Sequence, residues 1–243
     1  MADGPAGAAL VTGAARRIGR AIVERLAADG WPTVVHTSAR SAAEAQGLAD
    51  ALVARGLRAA VVVADLAEAG AAGALIEKAS ATFGPLACLV NNASVFEPDE
   101  PASFEALGFD RHIAVNLRAP LLLAQHFAAQ APPGAGVVNI LDQRVLRPGP
   151  DYFTYAISKS ALWSATRTLA QAFAPRVRVN AVGPGPVLPN AHEGEAGFAA
   201  EVAGLPLARA PDAREIADAV AWLMRARSVT GQMIAVDGGQ HLA

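Results

Sequence analysis

The chain has 243 residues, 20 basic and 22 acidic side chains, and a formal net charge of −2 at pH 7. That length accommodates one large α/β domain with a substantial core, and the lack of any basic tract or basic half argues against nucleic acid or an anionic membrane as the main partner. The single Cys88 rules out an intramolecular disulfide and fits a reducing compartment. Met1 to Ala9 lack the basic start and long apolar stretch of a signal peptide, and no run approaches membrane-spanning length, so a cytoplasmic protein is expected. The five histidines are scattered and no metal-ligand cluster or internal repeat is visible.

Short β-like runs alternate with helical segments. The first strand, Ala8 to Thr12, enters the turn Thr12-Gly13-Ala14-Ala15-Arg16-Arg17-Ile18-Gly19, where the backbone can approach a phosphate at the start of a helix from Ile18 to Asp29. The turn does not match G-x-G-x-x-G and by itself fits equally a β-α connection with two solvated arginines. The second strand, Thr33 to Thr37, is followed by Ser38-Ala39-Arg40-Ser41, with no acid before Glu44. A cofactor with a free ribose 2′-hydroxyl calls for Asp or Glu there. Arg40 with Ser38 and Ser41 suits a 2′-phosphate, although one Arg in a polar loop is commonly just solvated. A helix over Ala42 to Arg55 leads to the third strand, Ala59 to Ala64, then to Asp65 and a helix over Ala67 to Phe83. The fourth strand, Ala87 to Val90, precedes Asn91-Asn92-Ala93 and a long helix from Ser103 to Gln130, interrupted near Gly108.

The fifth strand, Gly136 to Leu141, contains a continuous apolar run that reads as buried on both faces, and Asp142 is the first ionisable residue beyond it. Gln143 to Asp151, with Pro148, Gly149 and Pro150, is loop. From Tyr152 to about Ala174, Ile157, Leu162, Ala165, Leu169 and Phe173 recur at helical spacing, and Pro175 ends the run. Tyr155 and Lys159 are four apart and share one helix face, so the ammonium is expected to favour the phenolate and lower the tyrosine pKa. An isolated pair of this kind also occurs on solvated helices. The last elements are a strand over Val177 to Val182, a helix over Ala213 to Arg225 and a strand over Met233 to Val236. Strict alternation implies a doubly wound, parallel seven-stranded sheet in one domain, with ligands beyond the carboxyl ends of the strands. Gly13, the Thr37 to Ser41 turn, Asp65, Asn91, Asp142 and Gly183 all follow strands, which sets the Tyr155/Lys159 pair apart from chance.

These residues resemble the short-chain dehydrogenase/reductase superfamily over nearly the whole chain, from Thr12 to Gly19 through Asn91-Asn92-Ala93, Asn116, Tyr155/Lys159 and Pro184-Gly185 to Val229-Thr230-Gly231 and Asp237-Gly238-Gly239. Within it the chain is similar to the pteridine reductase and dihydromonapterin reductase branch. Ordinary members have a glycine where Arg17 stands and a serine where Asp142 stands, and the branch is like this chain at both. Phe96 fits the place of a phenylalanine on which a pterin ring stacks; a plain core role in a lid loop is the other reading.

The resemblance implies NADPH as cofactor, held by Gly13, Arg17, Ile18, Gly19, Ser38, Arg40 and Ser41, with Asp65 and Leu66 near the adenine and Asn91 and Ala93 near its ribose. Lys159 would meet the nicotinamide ribose, and Pro184, Gly185 and Val187 the carboxamide side. Arg17, Ser94, Phe96, Asp142 and Tyr155 would bind substrate. Asp142, Tyr155, Lys159 and Asn116 would be catalytic, Asn116 through a water relay to Lys159. Hydride would pass to a C=N carbon of a pterin, and a carboxyl at position 142 suits proton relay to ring nitrogen better than a serine hydroxyl does.

Departures remain: the turn after the second strand is one residue longer than in parasite-type pteridine reductases, and Pro189 stands where many members carry a Thr. The loop over 189–206, with His192 and Phe198, is expected to close over substrate, His192 as a surface residue. A homotetramer packed through long helices is the family expectation. Two other readings stay open, a carbonyl or 3-oxoacyl reductase and a non-catalytic nucleotide sensor or scaffold.

Overall fold

The computed structural model describes residues 5–189, 192 and 194–243. Seven parallel strands form one sheet, β1 (Ala8–Val11), β2 (Thr33–Thr37), β3 (Ala59–Val63), β4 (Leu86–Asn91), β5 (Ala135–Ile140), β6 (Val177–Pro184) and β7 (Met233–Val236), in the order β3-β2-β1-β4-β5-β6-β7. Every residue of β1, β4 and β5 is buried, as strands covered on both faces require, and the asparagines among them, Asn91 and Asn139, bond to each other.

Alternation within β1 shows how the layers divide. Ala9 and Val11 join Ile22, Val23 and Leu26 of α1 (Arg17–Ala28), Leu48 and Leu52 of α2 (Ala42–Ala54), and residues of a last helix over Ala213–Arg225. Ala8 and Leu10 point the other way, onto Leu75 and Ile76 of α3 (Ala71–Phe83) and other helices of the opposite layer. The strand order reverses between β1 and β4, so the crevice of a doubly wound sheet opens above their carboxyl ends.

Three expectations about helices change. The long segment is not broken at Gly108: α4 (Ala106–His112) passes through a wide-turned π-helical stretch, Ile113–Arg118, into α5 (Ala119–Gln130). Gly108 sits in the first turn, where glycine is tolerated, and the irregularity lies instead just before Pro120, which has no N–H to give. α3 starts at Ala71 rather than Ala67, because Gly70 takes φ +83° ahead of it. After α6 (Phe153–Phe173), the segment read as loop folds over Gly194–Ala203 into α7, ahead of α8 (Ala213–Arg225). Among the described residues no helix is long and apolar enough to cross a membrane.

Candidate active site

The turn after β1 is fixed on three sides. Gly13 has φ +60°, and a Cβ there would lie 2.8 Å from Ala93 Cα, so both conformation and space demand glycine. Thr12 Oγ1 accepts from the backbone N–H groups of Asn92 (2.9 Å) and Ala93 (3.0 Å), while Asn92 Nδ2 donates to the carbonyls of Thr12 (2.9 Å) and Gly13 (3.0 Å). From β2, His36 Nδ1 accepts from the Gly13 N–H at 3.2 Å. α1 then begins without a side-chain cap, leaving its first amides and its positive dipole end open to an anion.

A cavity of about 710 Å³ lies over this turn, with Gly13, Arg17, Ile18, Gly19, Ser38, Arg40, Ser41, Asp65, Leu66 and Ala93 on its walls. The predicted phosphate-binding residues are thus brought together, and Arg40 stands exposed on a 3₁₀ turn over Ala39–Ser41. Arg16 also belongs here: its guanidinium donates to Ser41 Oγ at 2.6 Å and lies 3.6 Å from Glu44. A glycine cradle, an uncapped helix start and two arginines with no acid on the β2 turn fit a dinucleotide bearing a 2′-phosphate.

The second cavity, about 390 Å³, shares Arg17, Ile18, Asn92, Ser94 and Phe96 with the first and adds Asp142, Tyr155, Lys159, Pro184, Gly185 and Val187. Asp142 ends the β5 segment in extended backbone, and its Oδ1 accepts from Arg144 N–H at 2.9 Å. Tyr155 Oη donates to Asp142 Oδ2 at 2.9 Å, and Lys159 Nζ donates to Ile140 O at 2.9 Å while lying 5.6 Å from the Tyr155 ring centre.

The electrostatics differ from expectation. Tyr155 is held well above the usual phenol value, first by burial and then by the Asp142 charge and hydrogen bond, opposed by the Arg144 guanidinium, so the direction is the reverse of the lowering anticipated from Lys159. Burial raises Asp142 as well, opposed by the Arg144 N–H and guanidinium. Burial lowers Lys159 to about 8, against the pull of Asp142.

An aromatic wall completes the site. Phe96 stacks on Tyr152 with ring centres 4.1 Å apart and planes 10° apart, and meets Tyr155 edge-on at 4.7 Å. The Arg144 guanidinium covers the Tyr152 ring at 4.9 Å. Tyr152 itself takes φ +55°, a left-handed backbone that costs about 1 kcal/mol or more in a non-glycine residue. Arg17 is also left-handed, at φ +52°, which accounts for a glycine at that place in ordinary members. Its guanidinium donates to the carbonyls of Pro189 (2.9 Å) and Leu188 (3.2 Å).

Two predicted residues stand behind the cavity walls. Asn91 lines neither cavity; its amide turns into the sheet and donates to Asn139 Oδ1 at 2.9 Å, because β4 runs through position 91 and buries the side chain. Asn116, on the π-helical stretch, lines neither cavity and holds the neighbouring loop directly. Its Oδ1 accepts from Val95 N–H (2.8 Å) and Ser94 Oγ (3.2 Å), and its Nδ2 donates to Val95 O (2.9 Å) and Ser158 Oγ (3.1 Å). It holds the loop that carries Ser94 and Phe96. His36, Arg144, Tyr152, Glu201 and Gln240 carry no motif or spacing that marks them in the sequence; Glu201 of α7 accepts from Gln240 Nε2 at 2.7 Å beside the second cavity. Asn92 was visible only as a letter in its motif. Of the 189–206 segment, residues 190, 191 and 193 lie outside the described ones; His192 borders both cavities and Phe198 neither.

Comparison with known proteins agrees with this geometry. Residues 13–241 match the family described as Enoyl-(Acyl carrier protein) reductase. The chain is 35% identical to the granaticin polyketide synthase putative ketoacyl reductase 2 of Streptomyces violaceoruber and 30% identical to the dihydromonapterin reductase of Klebsiella pneumoniae, each likeness covering 96% of this chain and 96% of the relative. The crystal structure of FolM alternative dihydrofolate reductase 1 from Brucella canis complexed with NADP is 48% identical, with a TM-score of 0.93 over 97% of this chain and 94% of that one. A parallel seven-stranded sheet with Tyr155 and Lys159 beside a glycine-turn crevice, matched end to end by these relatives, makes the chain a member of the short-chain dehydrogenase/reductase superfamily, similar within it to the dihydromonapterin reductase branch.

Proposed function

We propose that the chain is an NADPH-dependent reductase that transfers hydride to a C=N bond of a pterin of the dihydromonapterin or dihydrobiopterin type. The observation that carries this reading is the 2.9 Å hydrogen bond between Tyr155 and Asp142 in the substrate cavity, a carboxyl group where a carbonyl reductase would have only a hydroxyl. The NADP complex of a 48% identical structure and the likeness to a dihydromonapterin reductase support it.

NADPH, when bound, supplies the hydride. Gly13, the α1 start, Arg16 and Arg40 would hold it, and Lys159, braced on the Ile140 carbonyl, would meet its ribose hydroxyls. Phe96, backed by Tyr152, offers a flat apolar face to a planar ring and so orients it. Hydride addition to the C=N carbon leaves the nitrogen in need of one proton. Tyr155 and Asp142 share protons across one hydrogen bond and deliver that proton, then regain one from solvent. The 189–206 segment, with Glu201 at the cavity edge, acts as a lid in this reading, and the assembly is a homotetramer, which light scattering would check.

NADPH oxidation should be followed with dihydromonapterin, dihydrobiopterin, dihydrofolate, biopterin and a 3-oxoacyl thioester. Turnover of at least one pterin is expected. The likeness to a ketoacyl reductase keeps a ketone substrate as the rival. Efficient reduction of the thioester with no pterin turned over would overturn the pterin reading and leave Asp142 as a strand-end cap.

A further inference from the structure

His36 holds backbone on both flanks of the cofactor crevice, and nothing in the proposed mechanism uses it. It is the fourth residue of β2, whose neighbours in the sheet are β1 and β3. Its backbone carbonyl accepts from the Ala14 N–H at 2.9 Å, and its ring Nδ1 accepts from the Gly13 N–H at 3.2 Å. On the other side, its Nε2 stands 3.2 Å from the Ala64 carbonyl, next to Asp65 and Leu66 of the adenine wall. The residue is 2% exposed.

The partners fix its chemistry. A backbone N–H only donates, so Nδ1 must present its lone pair to Gly13; a carbonyl only accepts, so Nε2 must carry the hydrogen. Both nitrogens are therefore committed, and a second ring proton has nowhere to go except against the Gly13 N–H. Burial agrees, lowering the imidazole to about 4 against the opposing pull of Ala64 O and Asp65.

The consequence falls on the glycine turn. Gly13 cannot move towards β4, because Ala93 already closes that side. Its N–H and that of Ala14 are both spent on His36, which leaves the free amides at the start of α1, around Arg17 to Gly19, to face an anion. We infer that His36 is a positioning residue for dinucleotide binding: its ring holds Gly13 and Ala64 in register, so that the helix-start amides meet the diphosphate. The inference rests on the cofactor reading above but on no particular substrate.

NADPH and NADH affinities, by nicotinamide fluorescence titration, and thermal midpoints should be measured on the full chain as wild type, His36→Leu, His36→Asn and His36→Gln, with Arg40→Ala as control. The diphosphate is common to both dinucleotides. His36→Leu should therefore weaken both by the same factor, about tenfold for an orphaned buried amide, whereas Arg40→Ala should weaken NADPH selectively. Asn places an acceptor where Nδ1 stood and should restore binding to within about threefold of wild type. Gln reaches only towards Ala64 and should behave like Leu.

Wild-type affinity in His36→Leu would sink the inference while leaving the cofactor reading intact. Losses that merely follow the drop in thermal midpoint across all three variants would make His36 an ordinary core residue, and a loss confined to NADPH would make it a 2′-phosphate reader instead. A wild type that binds neither dinucleotide would overturn the cofactor reading and this inference together.

Discussion

Asp142 and Tyr155 act on each other's protons more strongly than Lys159 acts on either. Removing the Tyr155 hydroxyl while keeping its ring, as in Tyr155→Phe, should lower kcat on the order of a hundredfold or more and leave NADPH binding in place. Single-turnover kinetics with a cofactor titration would show this, and full activity would remove Tyr155 from the chemistry. Asp142→Asn keeps size and some hydrogen bonding but loses the carboxyl proton, so pterin turnover should fall sharply with cofactor affinity little changed. The reach of sequence reasoning is visible here. Tyr155 and Lys159 were legible because helical spacing alone puts them on one face. The sign of the Tyr155 shift was not, because it depends on a 2.9 Å contact to a residue in another element. Arg144 and Tyr152 left no periodic trace at all, since their roles arise from ring contacts across a loop.

Strands were the most legible elements, because runs such as Leu86–Asn91 and Ala135–Ile140 are buried on both faces and so are apolar except where Asn91 and Asn139 pair with each other. The helix over 106–130 shows the limit. Apolar periodicity predicts its length, but the wide turn at Ile113–Arg118 alters hydrogen-bond spacing without altering composition, and that turn aims Asn116 at Ser94 and Val95. Asn116→Ala would orphan the Val95 N–H, while Ser94 Oγ still reaches the Val95 carbonyl at 3.2 Å, costing about 1–3 kcal/mol of stability. It should raise substrate KM more than NADPH KM, because the loop it holds carries Phe96; steady-state kinetics with both ligands varied would decide.

The β1-β2-β3 edge carries a pH signature of its own. His36 has a native pKa of about 4, below its unfolded value of 6.5, so the unfolded chain binds more protons between these values. Stability from this residue is complete above about pH 6.5 and is lost as pH falls towards 4, on the order of 3 kcal/mol over the window. Asp65 is the charge that acts on it, with Arg16 and Arg40 on the same cavity wall. Thermal midpoints between pH 7 and 4 should fall less steeply in His36→Leu than in wild type.

Over the molecule as a whole, the reversal of strand order between β1 and β4 puts both cavities above one edge of the sheet, and elements far apart in sequence meet there. Arg17 makes one such connection, from the turn after β1 to the carbonyls of Leu188 and Pro189 beyond β6, while bordering both cavities. One side chain is therefore placed to respond to a ligand in either cavity, and thermodynamic reciprocity sets the terms: the factor by which a bound dinucleotide changes substrate affinity must equal the factor by which the substrate changes dinucleotide affinity. Titrating NADP⁺ with and without pterin, and pterin with and without NADP⁺, should return one coupling factor from both directions. In Arg17→Ala that factor should move towards one, which would make a single guanidinium the messenger between the two halves of the sheet.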